Sequence, residues 1–238
     1  SRPVFMAVDA ETGSIYANLV EIKGRLDPMV VKGILRWLLE LGHASALRIR
    51  TDAEPAIVAI AQATARARGD VITVVETTPV ASKGILGACE RANQTFMGLL
   101  RTHKAEIEER LGIALSMNNP LMGWLVQHVA WLHHRYNQVH GRTPFSAVQE
   151  REYAEKVSRF GQGVLVRCPD PSNLSKLSLR WQPGRWVGPL VGSDENIVIC
   201  VDGVHRGRGV RHISEDAASS TLLTLPTILR LHMRASSH

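Results

Sequence analysis

The spacing of apolar residues changes near residue 160, and this change restricts the fold more than any other feature. Before it, short apolar or β-branched runs such as "VFMAV" and "VITVVETT" alternate with longer stretches whose apolar residues recur every three or four positions. This alternation predicts an α/β domain in which helices cover a sheet. After residue 160, short alternating segments separated by Gly, Pro and Asp predict a small antiparallel β-barrel.

We therefore predict one domain over residues 1–155, a second over 160–214 and a tail over 215–238 that is either a docking segment or unstructured. Within the first domain, "DAETGS" between two apolar runs predicts a hairpin. Asp27 before Pro28 predicts the start of a helix, and Thr143 before Pro144 predicts another. The predicted buried face of the first helix consists of Val31, Ile34, Leu35, Leu38 and Leu39.

Three cysteines, odd in number and without a CxxC pair, argue against a disulfide framework and against a cysteine zinc site. They indicate a reducing environment. The histidines of "QHVAWLHHRYNQVH" are separated by five, one and six positions. Metal sites on helices favour pairs four residues apart, so we expect packed or surface histidines there. No secretory signal and no apolar run long enough to span a membrane is visible, so no membrane partner is expected.

The positive charge is concentrated in the last third of the chain. The formal net charge is +6, and residues 156–213 contain nine basic and four acidic residues. Such a concentration indicates a polyanionic partner, although a moderately basic surface without a partner explains it equally well.

Two acids occupy positions where carboxylates can meet. Asp52 follows the strand pattern "ALRIRT", and ligands of open α/β sheets bind beyond the carboxyl ends of strands. Glu90 lies near the start of the long helix predicted from "GILGACERANQTFMGLLRT" to about Leu111. Asp52 could instead cap the next helix, and Glu90 could be a solvated helix residue. If the connection brings them together, their oxygens suit Mg²⁺ or Mn²⁺.

The order of segments resembles retrotransposon and retroviral integrases. It runs from "IRTDAEPAI" through "TTPVASKGILGACERANQTFMGLLRT" and "RYNQVHGRTPFSAV" to "FGQGVLVR", "LRWQPGRWVG" and "VDGVHRGRGVRHI". The resemblance covers about residues 4–214. It implies a ribonuclease-H-like mixed sheet flanked by helices, then a small SH3-like β-barrel. It also implies a carboxylate triad in which Asp52 is the second aspartate and Glu90 the glutamate, both metal ligands and catalytic.

The first carboxylate of that triad is not identified with Asp9. In the family it lies within the first strand, and "VFMAV" resembles the second strand, so Asp9 falls at the following turn. We expect the first strand and its acid to lie upstream of Ser1, together with the family's zinc-binding N-terminal domain. The alternative is that this hairpin is the first pair and that Asp9 completes the triad.

The resemblance implies DNA as partner, both element ends and target. The basic side chains that we expect to contact it are Arg91, Arg101, Arg185, Arg206, Arg208 and Arg211. Alternation along one strand would place the last three partly on one face. Trp181 and Trp186 either pack the barrel core, which we favour, or contact DNA.

The implied function is metal-dependent phosphodiester transfer that joins element 3′ ends to target DNA, by a homo-oligomer that is intracellular and acts in the nucleus. The alternative is a non-catalytic DNA-binding remnant with an incomplete metal site, since two carboxylates bind such cations less well than three.

Overall fold

The computed structural model describes residues 2–20, 27–77, 83–167, 180–190, 193 and 195–214, with the backbone alone at 83–86. The predicted tail over 215–238 lies outside these residues. The elements are, in chain order, β1 (Val4–Val8), β2 (Ile15–Leu19), α1 (Pro28–Glu40), β3 (Leu47–Thr51), α2 (Pro55–Ala67), β4 (Thr73–Thr77), α3 (Lys83–Leu111), α4 (Leu121–Tyr136), α5 (Pro144–Gln149), β5 (Gly163–Arg167), β6 (Trp181–Pro189), β7 (Asn196–Cys200), β8 (Gly203–Gly207) and β9 (Val210–His212).

The chain divides into two compact units. The first comprises Ser1–Thr102 and Val129–Ala154, and the second comprises His103–His128 and Glu155–His238. Helices α3 and α4 therefore each contribute residues to both units. No described helix is both long and apolar enough to cross a bilayer.

The first unit contains two small sheets. Strands β1 and β2 form the predicted antiparallel hairpin, with Val8 opposite Ile15. Strands β3 and β4 pair in parallel, with Thr51 opposite Thr77. The α/β class is confirmed, but the single mixed sheet of a ribonuclease-H-like domain is not found: in the described part of the chain, no ladder joins one pair to the other. Within the described ranges, strands β1 and β3 each pair on one side only.

Helices α1 and α2 supply the apolar core on which the two sheets pack. Helix α1 begins as predicted, because the Asp27 carboxylate accepts a hydrogen bond from the Met29 amide and Pro28 occupies the first turn. The surrounding core is contributed by both strand pairs and by α2. Its buried members are Tyr16, Val30, Ile34, Trp37, Leu38, Leu41 and Ile60, against which Phe5, Ala7 and Leu47 pack.

The predicted buried face of α1 was partly wrong. Leu39 is 71% exposed, whereas Trp37 is buried. The buried face of α1 is rotated from the predicted one toward Trp37, because the Trp37 indole N–H donates a hydrogen bond to a buried acceptor, the hydroxyl of Ser14, at 3.0 Å. An indole N–H that is buried requires such a partner.

A chain of polar contacts inside the first unit links β2, α1 and α4. The Ser14 hydroxyl, which accepts from Trp37, is 2.9 Å from Nδ1 of His134. The neighbouring Arg135 is also buried, and its guanidinium donates to Glu40 at 2.8 Å. Burial, with the charge of Arg135, lowers the pKa of His134 to about 3, so its ring is neutral and Nδ1 can accept from Ser14.

The second unit contains a five-stranded antiparallel sheet in the order β8-β7-β6-β5-β9. The sheet is strongly curled, and the curling brings β8 close to β5. A methyl group on Gly207 of β8 would lie only 3.2 Å from Cγ2 of Val166 in β5. Its apolar interior consists of Val164, Val166, Trp186, Val198 and Cys200. Trp186 is thus a core residue, as favoured, and its indole N–H donates to Asn196 at 2.8 Å.

A glycine inside α1 leads to the first prediction. Alanine at an exposed helix position stabilises a helix by up to about 1 kcal/mol relative to glycine. At Gly33, however, a Cβ would lie 2.8 Å from Cζ of Tyr16. We expect Gly33→Ala to lower the free energy of unfolding by about 1–3 kcal/mol in urea denaturation, because the ring must move out of a packed core.

The matched control is Gly98→Ala in α3, where nothing lies within 4 Å of the added methyl. This variant should be neutral or stabilising. Equal effects of the two substitutions would contradict the packing of Tyr16 on Gly33.

The buried histidines predict a pH dependence of stability. Burial lowers the pKa of His128 to about 3, of His133 to about 4 and of His134 to about 3. The unfolded chain takes up protons below the ordinary pKa of about 6.5, whereas the folded chain does not until pH 3–4. The free energy of unfolding should therefore fall as the pH decreases below about 6.5, by about 1 kcal/mol per histidine at pH 5.5.

Urea denaturation at pH 7.5 and 5.5 measures this loss. His128→Phe should reduce it, because His128 packs between the rings of Phe160 and Trp186 and a phenyl group does not titrate. An unchanged pH dependence in this variant would show that His128 does not contribute.

Candidate functional site

Asp52 directly follows β3 and is exposed, whereas the preceding Thr51 is buried. It does not cap α2. The N-cap is Glu54, which makes no side-chain capping bond, and the Asp52 carboxylate accepts only a long 3.3 Å bond from the Glu54 amide. The capping explanation for Asp52 is therefore not supported by the local geometry, and its oxygens face solvent at the carboxyl end of a parallel strand.

Glu90 lies in the second turn of α3 and is also exposed. Its neighbour Cys89 is half-buried and shows which groups surround it. Burial raises the pKa of the Cys89 thiol, and the negative charges of Asp52 and Glu90 raise it further. Asp52 is remote from Cys89 in sequence, yet its charge acts on the Cys89 thiol, so Cys89 lies within electrostatic range of Asp52 as well as of its neighbour Glu90.

The two carboxylates have the chemistry of a partial cation site. Carboxylate oxygens suit hard divalent cations such as Mg²⁺ and Mn²⁺, which also retain several waters. Arg91, next to Glu90, is exposed, and its guanidinium donates to the Gly87 carbonyl of the preceding turn. Arg101 is exposed further along α3. Both remain candidates for phosphate contacts on the same helix as Glu90.

Asp9 belongs to a different part of the first unit. Its carboxylate accepts from the backbone and hydroxyl of Thr12, at 2.9 and 2.6 Å, and lies 3.0 Å from Nε2 of His43. His43 precedes β3, whereas Asp52 follows it. A five-residue strand spans roughly 15 Å, so Asp9 and Asp52 lie toward opposite ends of β3. Asp9 stabilises the hairpin turn, and this geometry argues against the alternative in which it completes the triad.

The predicted basic residues of the second unit differ in exposure. Arg185 is only 8% exposed and donates to the Gly161 carbonyl at 3.2 Å. Its burial removes it from the predicted DNA-contacting surface. Arg206 in β8, Arg208 in the following connection and Arg211 in β9 are exposed. Arg206 and Arg211 belong to two strands at opposite ends of the sheet order, with Arg208 between the two strands in sequence, and so the expectation of alternation along one strand was wrong.

A basic and aromatic face surrounds Arg211. Its guanidinium carbon lies 4.4 Å from the ring centroid of Trp181, a cation–π contact. Trp181 is paired with Arg167 across β5 and β6, and Arg211 with Leu165 across β5 and β9. Alternation therefore directs Arg167, Trp181 and Arg211 to one side of the sheet. The sequence did not single out Arg167, because its pairing with Trp181 depends on strand register.

Two groups of described residues contain histidines that bear on metal binding, one in α4 and one at the β7–β8 turn. The histidines of α4 do not converge. His128 packs on aromatic rings, His133 contacts Asn137 and His134 contacts Ser14. A different group, Cys200, Asp202 and His205, does converge at the β7–β8 turn. It was missed because the sequence contains no pair of cysteines there, although the CxDxxH spacing across a hairpin is visible in "CVDGVH".

Comparisons with known proteins give one kind of match. No protein-family model and no curated protein matches the chain. Among solved structures, the chain is similar to one in the cryoEM structure of the simian T-cell lymphotropic virus intasome in complex with PP2A regulatory subunit B56 gamma. The identity is 18%, the match covers 89% of this chain and 72% of that chain, and the TM-score is 0.43. At this level of likeness, any functional conclusion has to rest on the residues themselves.

Proposed function

We propose that the chain acts in DNA integration, as part of an integrase that joins 3′ DNA ends to target DNA by metal-dependent phosphodiester transfer. The observation that supports this proposal is that the charges of Asp52 and Glu90 both act on the Cys89 thiol at the start of α3. Asp52 follows β3 directly, and the carboxyl ends of strands form the edge where α/β sheets bind ligands.

In this proposal Asp52 and Glu90 hold Mg²⁺ or Mn²⁺. The donor set fits, since both side chains are exposed carboxylates that are not committed to an ion pair with a described residue. The bound cation supplies activation of the attacking hydroxyl and stabilisation of the leaving oxygen of the phosphodiester. The carboxylates fix its position, and Arg91 and Arg101 on the same helix contact the phosphates of the bound strand.

Two carboxylates are fewer than a stable site of this kind needs. We expect a third from a strand that pairs with the open side of β1 or β3, because both strands have unpaired edges in the described part of the chain. Such a strand would extend one of the two sheets.

The second unit supplies the DNA-contacting surface in this proposal. Arg206, Arg208 and Arg211 are exposed, and the stacked pair of Arg211 and Trp181 offers both a charge and a π-face. Arginine contacts to phosphate provide affinity that does not depend on sequence. Stacking on Trp181 would add a contact to an unpaired base.

The second candidate function is DNA binding without catalysis. The position of Asp9 favours it, because Asp9 lies toward the other end of β3 from Asp52 and contacts Thr12 and His43. Among the described residues, the proposal assigns two acids of the predicted triad, Asp52 and Glu90.

Substitution of the carboxylates tests the catalytic proposal. In a strand-transfer assay of the natural full-length protein with Mg²⁺ or Mn²⁺, Asp52→Asn and Glu90→Gln should each reduce the rate by about 10²–10⁴-fold. Loss of metal-held charge stabilisation is worth several kcal/mol.

The matched control is Glu109→Gln, an exposed acid on the same helix that lies several turns away. It should retain full activity. Full activity of Glu90→Gln would overturn the assigned role, whereas DNA binding without any transfer by the unsubstituted polypeptide would favour the non-catalytic function.

The salt dependence of DNA binding tests the basic surface. Anisotropy titrations of a labelled duplex at several salt concentrations should show that Arg208→Ala weakens binding and reduces the log–log salt slope by about 0.9, the value for one lost phosphate contact. Arg66→Ala, an exposed arginine of α2, is the control and should leave the slope unchanged. Equal slopes for both variants and the unsubstituted chain would remove Arg208 from the DNA-contacting surface.

A further inference from the structure

Four side chains of different chemistry converge at the β7–β8 turn of the second unit. The ligand atoms of Cys200, Asp202 and His205 all lie within 4.8 Å of one another. The amide nitrogen of Gln182, from β6, is 2.8 Å from Oδ1 of Asp202 and 2.9 Å from Nε2 of His205. None of these groups takes part in the proposed DNA chemistry.

Strand register explains why these side chains meet. Cys200 ends β7 and pairs with Gly203 of β8, so Val201 and Asp202 form a two-residue turn. Gly203 adopts a φ of 147°, which glycine tolerates best, and the chain then returns with His205 two residues further along. Gly184 makes room on the other side, because a Cβ there would lie 2.7 Å from Sγ of Cys200.

The group combines burial with access from solvent. Cys200 is 1% exposed and belongs to the apolar interior of the sheet. The side chain of His205 is 16% exposed and that of Asp202 is 60% exposed, and their closest atoms are 2.8 Å apart. An ion arriving from solvent would thus meet the Asp202 carboxylate first, and the apolar surroundings of Cys200 would strengthen its bonds to the ligands.

We propose that Cys200, Asp202 and His205 bind Zn²⁺, with Gln182 or a water as the fourth ligand. A thiolate, an imidazole and a carboxylate are the three side-chain types that zinc prefers, and a tetrahedral site needs four donors. Tetrahedral geometry separates nitrogen and oxygen ligands by roughly 3.3 Å. Asp202 and His205 therefore need to move apart by about half an ångström on binding.

Proton changes accompany binding. The Cys200 thiol loses its proton to solvent, and His205 holds its proton on Nδ1 so that Nε2 can bind the ion. If Gln182 is the fourth ligand, its amide group turns over so that the oxygen faces the ion in place of the nitrogen that now contacts Asp202 and His205. The bound ion would then tie β6 to the β7–β8 turn, which leads into β8, the strand that contains Arg206.

The competing explanation is a hydrogen-bonded turn beside an apolar thiol. In that arrangement His205 and Gln182 simply satisfy the carboxylate of Asp202. Partial burial raises the pKa of this carboxyl, but these hydrogen bonds outweigh the effect and lower the pKa overall. A turn of this kind has no affinity for a thiolate-preferring ion, and therefore metal binding separates the two explanations.

The test is titration of the full chain with Co²⁺ under reducing conditions. We expect one ion per chain, with a near-ultraviolet thiolate-to-cobalt charge-transfer band and the intense visible bands of tetrahedral cobalt. Added Zn²⁺ should abolish these bands and raise the melting temperature, because the ion binds the folded state. His205→Gln and Cys200→Ser should each weaken binding by about 10- to 100-fold or more.

The controls separate this site from the others. Cys89→Ser should retain the charge-transfer band, and so should Glu90→Gln, which disrupts only the proposed integration site. Circular dichroism confirms that each variant is folded. His205→Gln keeps the result interpretable if the buried Cys200→Ser fails to fold. The absence of a charge-transfer band in the unsubstituted chain, or its persistence in folded His205→Gln, would overturn the proposal.

Discussion

The packing of both small sheets on a core shared by helices α1 and α2 is the constraint on which the first unit depends. Neither two-stranded sheet has enough apolar surface to be stable alone. The apolar stripe of α1 formed by Val30, Ile34 and Leu38 joins Ile60 of α2 in this core, to which the hairpin contributes Tyr16 and against which Leu47 of β3 packs. The buried contact of Trp37 with Ser14 sets the rotation of this stripe about the helix axis. The position of β3, and hence of Asp52 at its end, follows from that packing.

Charged side chains are distributed differently in the two units. In the first, the charges of Asp52 and Glu90 act on the Cys89 thiol, and in the second Arg206, Arg208 and Arg211 are exposed. The proposed phosphodiester transfer would need both kinds of group, negative ligands for cations and positive side chains for phosphates.

Local signals made much of the fold predictable. Asp27 and Thr143 cap the helices that begin after them, and each is followed by proline at the first helical position. The hairpin and the long α3 were predicted from alternation and helical spacing.

Leu39 was placed wrongly because periodicity defines a stripe only within about one residue, and a tertiary contact of Trp37 decided the rotation. Whether β1 and β3 belong to one sheet depends on long-range pairing, which no local pattern encodes. Their separation in the described residues could therefore not be predicted. The sequence could not predict which arginines are exposed. Arg185 and Arg211 each lie in a short β segment, but Arg185 is buried and Arg211 is exposed.

The close approach of Tyr16 to Gly33 has an evolutionary consequence. The ring occupies the space that any side chain at position 33 would need, and the Tyr16 hydroxyl donates to the Val30 carbonyl at 3.3 Å. The two positions are therefore not free to vary independently. Chains that share this fold should keep an aromatic residue with glycine or exchange both together, and this linked variation would reveal the contact without a structure.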